Sequence, residues 1–90
     1  MQIEWDARKA RRNLRNHGVS FEEAASVFLD PLSVTGDDPD HSSDERRSVI
    51  FGVSSFGRLL VVAYADRGDT IRIISARRTT RAERVIYEEG

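Results

Sequence analysis

Cysteine is absent from this 90-residue sequence, so neither a disulfide framework nor a thiolate metal site can stabilise the fold. A packed core must do so, and an apolar content of 39% suffices for one small domain over residues 1–90. No apolar run is long enough to cross a membrane, and the start MQIEWDARKARR lacks the apolar stretch of a secretory signal. We therefore expect a single cytoplasmic domain.

Lysine is almost absent as well. Lys9 is the one lysine among the 14 basic residues, and the others are arginine. The planar fork of arginine binds phosphate or carboxylate through two parallel hydrogen bonds, although a GC-rich genome also accounts for part of such a bias. The net charge of −1 argues against a protein that coats nucleic acid indiscriminately. The charge is segregated, since residues 1–18 and 51–90 are basic in balance and residues 19–50 are acidic.

Periodicity and capping residues predict two helices after a short first strand at residues 2–5. The first helix begins after the N-cap Asp6 and ends at Gly18. Its buried stripe is predicted to consist of Ala7, Ala10, Leu14 and His17. A second helix, over residues 21–28, begins at a capping box formed by Ser20 and Glu23.

Four further strands and a last helix are predicted in the remaining sequence. An edge strand at residues 32–35 precedes an acidic, turn-rich loop at residues 36–45, and the segments RRSVIFGVS, LLVVAYA and IRIISA follow as strands with short connections. A Thr80–Glu83 capping box opens the last helix, with Val85 and Ile86 as its buried residues. The expected fold is α+β: an antiparallel sheet of four to five strands with two N-terminal helices and one C-terminal helix packed on it.

Four segments of the sequence together resemble a known family. They are Trp5–Ala10 (WDARKA), His17–Ala24 (HGVSFEEA), Asp30–Pro31 and Arg72–Arg77 (RIISAR). Their order and spacing are similar to those of the BrnT-type toxins of bacterial type II toxin–antitoxin modules. The resemblance implies a RelE-like ribonuclease fold, cleavage of RNA that arrests translation, and a hetero-oligomer with a DNA-binding, BrnA-like antitoxin. The aspartate-rich loop at residues 36–45 departs from what a surface that approaches RNA should carry.

Cleavage of RNA without a metal needs a base for the 2′-hydroxyl proton, a cation for the charge on the phosphate, and an acid for the leaving oxygen. Arginine can supply only the cation, because it does not titrate in proteins. Arg77 is the first candidate, since it lies where the last strand ends and the last helix begins. Pairing with a helix carboxylate such as Glu83 is its structural alternative.

Three other residues complete the catalytic candidates: Arg67, His17 and Tyr64. Arg67 lies in a hairpin, and the alternative to a catalytic role is a solvated turn residue. His17 is a candidate because histidine is the usual general acid or base near neutral pH, but a histidine at a helix end also satisfies a backbone carbonyl. Tyr64 could move protons or stack on a base, whereas core packing is the alternative.

The RNA-binding candidates are Lys9, Arg47, Arg72 and Arg78. Strict strand alternation places Arg72 and Arg77 on opposite faces of the sheet, so one of them is expected to be a plain surface residue. His41 has no companion ligands at metal spacing, and neither a metal nor another cofactor is expected. The sequence therefore predicts a metal-independent endoribonuclease toxin, with a non-catalytic RNA- or protein-binding module as the alternative.

Overall fold

The computed structural model describes residues 1–38 and 46–90, and these residues form one five-stranded sheet with three helices. His41 and most of the acidic loop lie outside the described residues. The elements are β1 (Gln2–Glu4), α1 (Ala7–His17), α2 (Phe21–Ser26) with a 3₁₀ turn (Val27–Leu29), β2 (Val34–Asp37), β3 (Arg47–Val53), β4 (Leu59–Asp66), β5 (Thr70–Arg78) and α3 (Arg81–Glu89). The predicted α+β class and element order are confirmed.

The sheet is mixed, which corrects the prediction of an antiparallel sheet. Its order is β1-β5-β4-β3-β2, and β1 pairs with β5 in parallel while the other pairs are antiparallel. Short hairpins force antiparallel pairing between β3, β4 and β5. β1 is separated from β5 by most of the chain, so no hairpin constrains the direction of its pairing.

One face of the sheet carries the core together with α1 and α2. Its largest fully buried side chains come from the α1–α2 connection, the segment from α2 to the 3₁₀ turn, β4 and β5: Val19, Phe21, Val27, Leu60, Val62 and Ile73. We call this the inner face and the opposite one the outer face. Burial of these side chains supplies most of the stabilisation available to a chain without cross-links.

The inner position of α1 is occupied by a polar residue. Asn13 is 6% exposed, whereas Leu14, predicted to be buried, is 52% exposed and His17 is also exposed. The Asn13 amide donates to the carbonyls of Ala76 (2.8 Å) and Val19 (2.9 Å), and its oxygen accepts from the Ala76 N–H at 3.0 Å. The predicted apolar stripe is therefore right at Ala10, which packs against the core, and wrong at Ala7, Leu14 and His17, because these bonds fix the rotation of α1 about its axis.

β5 contains a bulge beside this contact. Tyr64 pairs with Ile73 and Ala63 pairs with Ser75, so Ile74 is an extra residue. Ile73 and Ala76 both belong to the core although they are three positions apart. Alternation is thus broken once within β5.

α2 is joined to the β3–β4 hairpin by a buried carboxylate. Glu23 is 3% exposed; it accepts from Arg58 Nε at 2.9 Å and from Ser54 Oγ at 2.7 Å, and Arg58 Nη2 forms a further ion pair with it. The bond from Arg58 is the main reason that the pKa of Glu23 is lowered. Only half of the predicted capping box forms, because Ser20 caps the Glu23 N–H while the Glu23 side chain bonds elsewhere.

α3 lies against the outer face and buries none of its residues. Val85 and Ile86, predicted to be buried, are 45% and 46% exposed. Polar contacts hold both ends of the helix instead: Glu83 binds Arg77, and the Tyr87 hydroxyl donates to Asp30 Oδ2 at 2.7 Å. The Thr80–Glu83 capping box is confirmed.

Replacing Asn13 should destabilise the domain strongly. Asn13→Ala leaves buried backbone groups of Ala76 and Val19 without their partners, and we expect a loss of about 2–4 kcal/mol in the free energy of unfolding. Asn16→Ala, at an exposed position of the same helix, should cost less than about 0.5 kcal/mol. Urea unfolding of the two variants measures the difference, and equal losses would contradict the role given to Asn13.

Candidate nucleic-acid interface

The bulge in β5 decides which arginines share a face. Ile71, Ile73 and Ala76 point into the core, so Arg72 and Arg77 both belong to the outer face. The prediction that they lie on opposite faces is therefore wrong, and the extra residue Ile74 is the reason.

The outer face carries three arginines in a regular pattern. Ala65 pairs with Arg47 on one side and with Arg72 on the other, so these two arginines occupy one row across the sheet. Arg77 pairs with Val61, four residues from Ala65 along β4, which corresponds to about 14 Å. Three arginines on one face at this spacing suit an extended polyanion.

Arg77 is oriented by an ion pair at the start of α3. Its Nη1 and Nη2 donate to the two carboxylate oxygens of Glu83 at 2.8 and 2.9 Å, and Nη1 also donates to the Arg78 carbonyl at 3.2 Å. The pairing with Glu83, which the sequence suggested as the alternative to a catalytic role, is thus present. These bonds use the end of the guanidinium, and no bond from Nε occurs within residues 1–38 and 46–90, so the Nε–Nη2 side of the fork remains available.

Arg77 strongly affects the pKa of the Glu83 carboxylate. The hydrogen bonds from Arg77 lower the pKa of Glu83 to about 2, against the opposing effect of burial, and the Thr80 N–H contributes further. Glu83 is therefore ionised throughout the physiological range. The pair places a fixed cation where β5 ends.

A cavity of about 250 Å³ lies on the outer face beside Arg77. Its lining combines strand residues with two arginines and one carboxylate: Asp38, Arg47, Val49, Val61, Ala63, Ile74, Ser75 and Arg77. Arg47 rather than Arg46 joins this surface, since the two adjacent residues point to opposite faces.

A second cavity, of about 290 Å³, lies between α1 and β5. Lys9, Arg12, Asn13, Asn16, His17, Ile74 and Ser75 line it. Lys9, Arg12 and His17 are exposed residues of α1. Ile74 and Ser75, which form the bulge, line both cavities. The two cavities therefore adjoin one another across β5.

We define the basic strip as the surface formed by Lys9, Arg12, His17, Arg47 and Arg77, with the bulge at its middle. Lys9, Arg12 and Arg47 make no ion pair within the part of the chain that the structure describes. Arg72 adjoins the strip on the outer face and pairs with Glu4 at 2.7 Å. The structure thus brings together the predicted residues Lys9, His17, Arg47 and Arg77.

The other three predicted residues line neither of the two cavities. Arg67 is in the β4–β5 hairpin, about 23 Å along β5 from Arg77, and it lies two residues from Ala65, which pairs with Arg47. Arg78 pairs with the inner-face residue Leu60, and its charge helps to lower the pKa of Glu23 on the helix side.

Tyr64, the third of these residues, lies in the core. It is 8% exposed, its ring packs edge-on against Phe28 with centroids 5.1 Å apart, and burial raises the pKa of its hydroxyl. Its environment is therefore that of the core-packing alternative.

Two residues of this region are not identified by reasoning from the sequence. Arg12 could be predicted from the sequence, since it lies between Lys9 and His17 on the same helix. The helical periodicity, however, assigns it to the solvated face together with the other arginines of that helix. Asn13 gives no signal, because a polar residue in a short helix is normally exposed. The described residues include no cluster of three or more histidine, aspartate or glutamate side chains that could hold a metal ion.

A family model described as "Ribonuclease toxin, BrnT, of type II toxin-antitoxin system" matches residues 5–83. The chain belongs to the BrnT family. It is accordingly the ribonuclease toxin of a type II toxin–antitoxin system, with RNA as its target and an antitoxin as its partner.

A solved structure agrees with this assignment at the level of the fold. The crystal structure at 1.1 Å resolution of the ribonuclease toxin BrnT from Brucella abortus matches with a TM-score of 0.67 and 23% sequence identity, covering 90% of this chain and 99% of the Brucella chain. A search of the curated proteins finds no match. No helix among the described residues is long and apolar enough to span a membrane.

The Arg77–Glu83 pair of this BrnT-family toxin should make its stability depend on pH. The folded pKa of Glu83, about 2, lies below its ordinary value of 4.5, so the stabilisation is fully present above pH 4.5 and is lost as the pH falls towards 2. We expect the free energy of unfolding to fall between about pH 5 and about pH 2.5, and to fall less in Glu83→Gln.

Glutamine is a matched replacement at this position, because it also completes a capping box. Urea unfolding at both pH values provides the measurement. An identical pH dependence in the wild type and in Glu83→Gln would show that the pair does not stabilise the folded state.

Proposed function

We propose that this toxin binds RNA along the basic strip and cleaves it beside Arg77. The observation that carries the proposal is the shared lining of the two cavities by Ile74 and Ser75. Because of it, the cations of α1 and those of the sheet belong to one continuous surface. A nucleic-acid backbone needs several cations in sequence, and an isolated arginine would not bind it.

Arg77 is proposed to stabilise the charge that develops on the scissile phosphate. Glu83 and the Arg78 carbonyl fix one end of its guanidinium, while the Nε–Nη2 side offers two parallel donors, the arrangement that binds phosphate oxygens. A fixed donor stabilises a transition state better than a mobile one, because it requires no reorganisation during the reaction.

His17 is proposed to carry the proton in this reaction. Arginine and lysine do not accept a proton near neutral pH, whereas an imidazole is the usual proton carrier of active sites, and His17 is the one histidine of the strip. The 2′-oxygen forms a bond to phosphorus as it loses its proton, the bond from phosphorus to the 5′-oxygen breaks, and that oxygen takes up a proton. The products are a 2′,3′-cyclic phosphate and a 5′-hydroxyl, and no metal is required.

Further features of the proposal are supported by family membership and go beyond it. The antitoxin is BrnA-like, carries a DNA-binding domain, and forms a hetero-oligomer with the toxin. The fold is related to that of the RelE ribonucleases, and the toxin acts in the cytoplasm. Arg67, Arg78 and Tyr64 receive no role in this scheme, because they line neither cavity, and Arg72 contributes to binding.

The proposal is tested with purified toxin and an end-labelled RNA in EDTA. The wild type should yield discrete fragments that end in 2′,3′-cyclic phosphate. Arg77→Ala should lower the rate by about 10²–10³-fold, since one donor to a developing anion is worth about 3–4 kcal/mol. Arg84→Ala, at an exposed position of α3, should cleave like the wild type and serves as the control.

His17→Ala should slow the reaction, because the strip then lacks its proton carrier. If Arg77→Ala cleaves like Arg84→Ala, the role of Arg77 is wrong. If the folded wild type binds RNA but leaves it intact with and without ribosomes, the binding-module alternative replaces cleavage.

A further inference from the structure

A second surface of this toxin is apolar and acidic rather than basic. Leu29, Leu32 and Phe56 are 82%, 70% and 73% exposed. Large side chains at this exposure, clustered on a small domain, mark a site that another molecule covers. None of them belongs to the basic strip.

Hydrogen bonds bring the segments that carry these side chains together. The Ser55 N–H donates to Ser26 Oγ at 2.8 Å, and the Val53 N–H donates to Asp30 Oδ2 at 2.8 Å. The β3–β4 hairpin with Phe56 is thereby tied to the turn with Leu29 and Leu32. We call these three side chains the apolar patch.

The patch continues into a groove of about 400 Å³ beside the end of α3. The groove is lined by Pro31, Leu32, Ser33, Val34, Tyr87, Glu88, Glu89 and Gly90. Leu32 belongs to both the patch and the groove. The lining of the groove includes two exposed glutamates and, among the described residues, no basic side chain.

The charge of the groove selects among possible occupants. RNA is repelled by Glu88 and Glu89 and has the basic strip elsewhere. A second copy related by a two-fold axis through the groove would bring these glutamates against their own equivalents. A polypeptide with apolar side chains flanked by lysine or arginine fits both properties of the surface.

We propose that the antitoxin of this module docks on the apolar patch and the acidic groove through such a segment. The proposal rests on the family membership that supplies an antitoxin, and it does not depend on the role given to the basic strip. An antitoxin bound at this position would also lie close to the residues that orient Arg77. Tyr87 in the groove lies one helical turn, about 6 Å along α3, from Glu83, which holds Arg77.

The test uses the full-length toxin and the purified antitoxin of the same module. Calorimetry gives the dissociation constant, and inhibition of RNA cleavage gives neutralisation. The triple variant Leu29→Ser, Leu32→Ser, Phe56→Ser should bind the antitoxin about 100-fold more weakly than the wild type. Leu14→Ser, an exposed apolar residue on α1, is the control and should bind like the wild type.

A charge variant tests the groove without removing apolar side chains. Glu88→Lys with Glu89→Lys should weaken binding about tenfold at low salt, and the difference should shrink as salt rises. Both multiple variants should cleave RNA at the wild-type rate when the antitoxin is absent. An inactive wild-type toxin would contradict the proposed cleavage, whereas the binding constants would still decide the docking site.

Wild-type affinity in both multiple variants overturns the proposal. So does a toxin that is dimeric alone and becomes monomeric in the triple variant while antitoxin affinity is unchanged, since the patch would then join two toxin copies. Circular dichroism melting of each variant confirms that it is folded before binding is measured.

Discussion

The hydrogen bonds between the Asn13 side chain and the Ala76 backbone are the constraint on which the functional surface depends. β1 pairs with β5 only as far as Arg72, so beyond that point the backbone of β5 has no strand partner on this side among residues 1–38 and 46–90. Asn13 supplies both an acceptor and a donor to Ala76 in its place. A side chain thus completes the edge of the sheet and holds α1 against β5.

The bulge in β5 lies next to this contact and determines which side chains share a surface. One extra residue returns Arg77 to the face of Arg72 and places Ile74 and Ser75 between the sheet and α1. Without it, regular alternation would direct Arg77 to the core side, where α2 and Glu23 lie. Bulges re-aim side chains in this way beside active sites in many sheets.

α3 connects the two surfaces of the toxin through polar contacts rather than through a core. Glu83 at its start holds Arg77, and Tyr87 near its end holds Asp30, which in turn accepts from the backbone of Val53 and Leu32. These bonds keep the pKa of Asp30 low, with the Val53 N–H contributing most. Half-exposed Val85 and Ile86 show that apolar burial contributes little to the docking of this helix.

The sequence by itself determined the α+β class, the order of the elements, the caps at Asp6, Ser20 and Thr80, and the family, because all of these depend on neighbours within a few positions or on motifs in order. Arg77 and Lys9 could be named as candidates for the same reason. The tertiary structure decided which arginines share a face, the parallel direction of β1, the burial of Asn13 and the exposure of Val85. Each of these depends on contacts between residues far apart in the chain, such as Asn13 with Ala76, and no local period contains them.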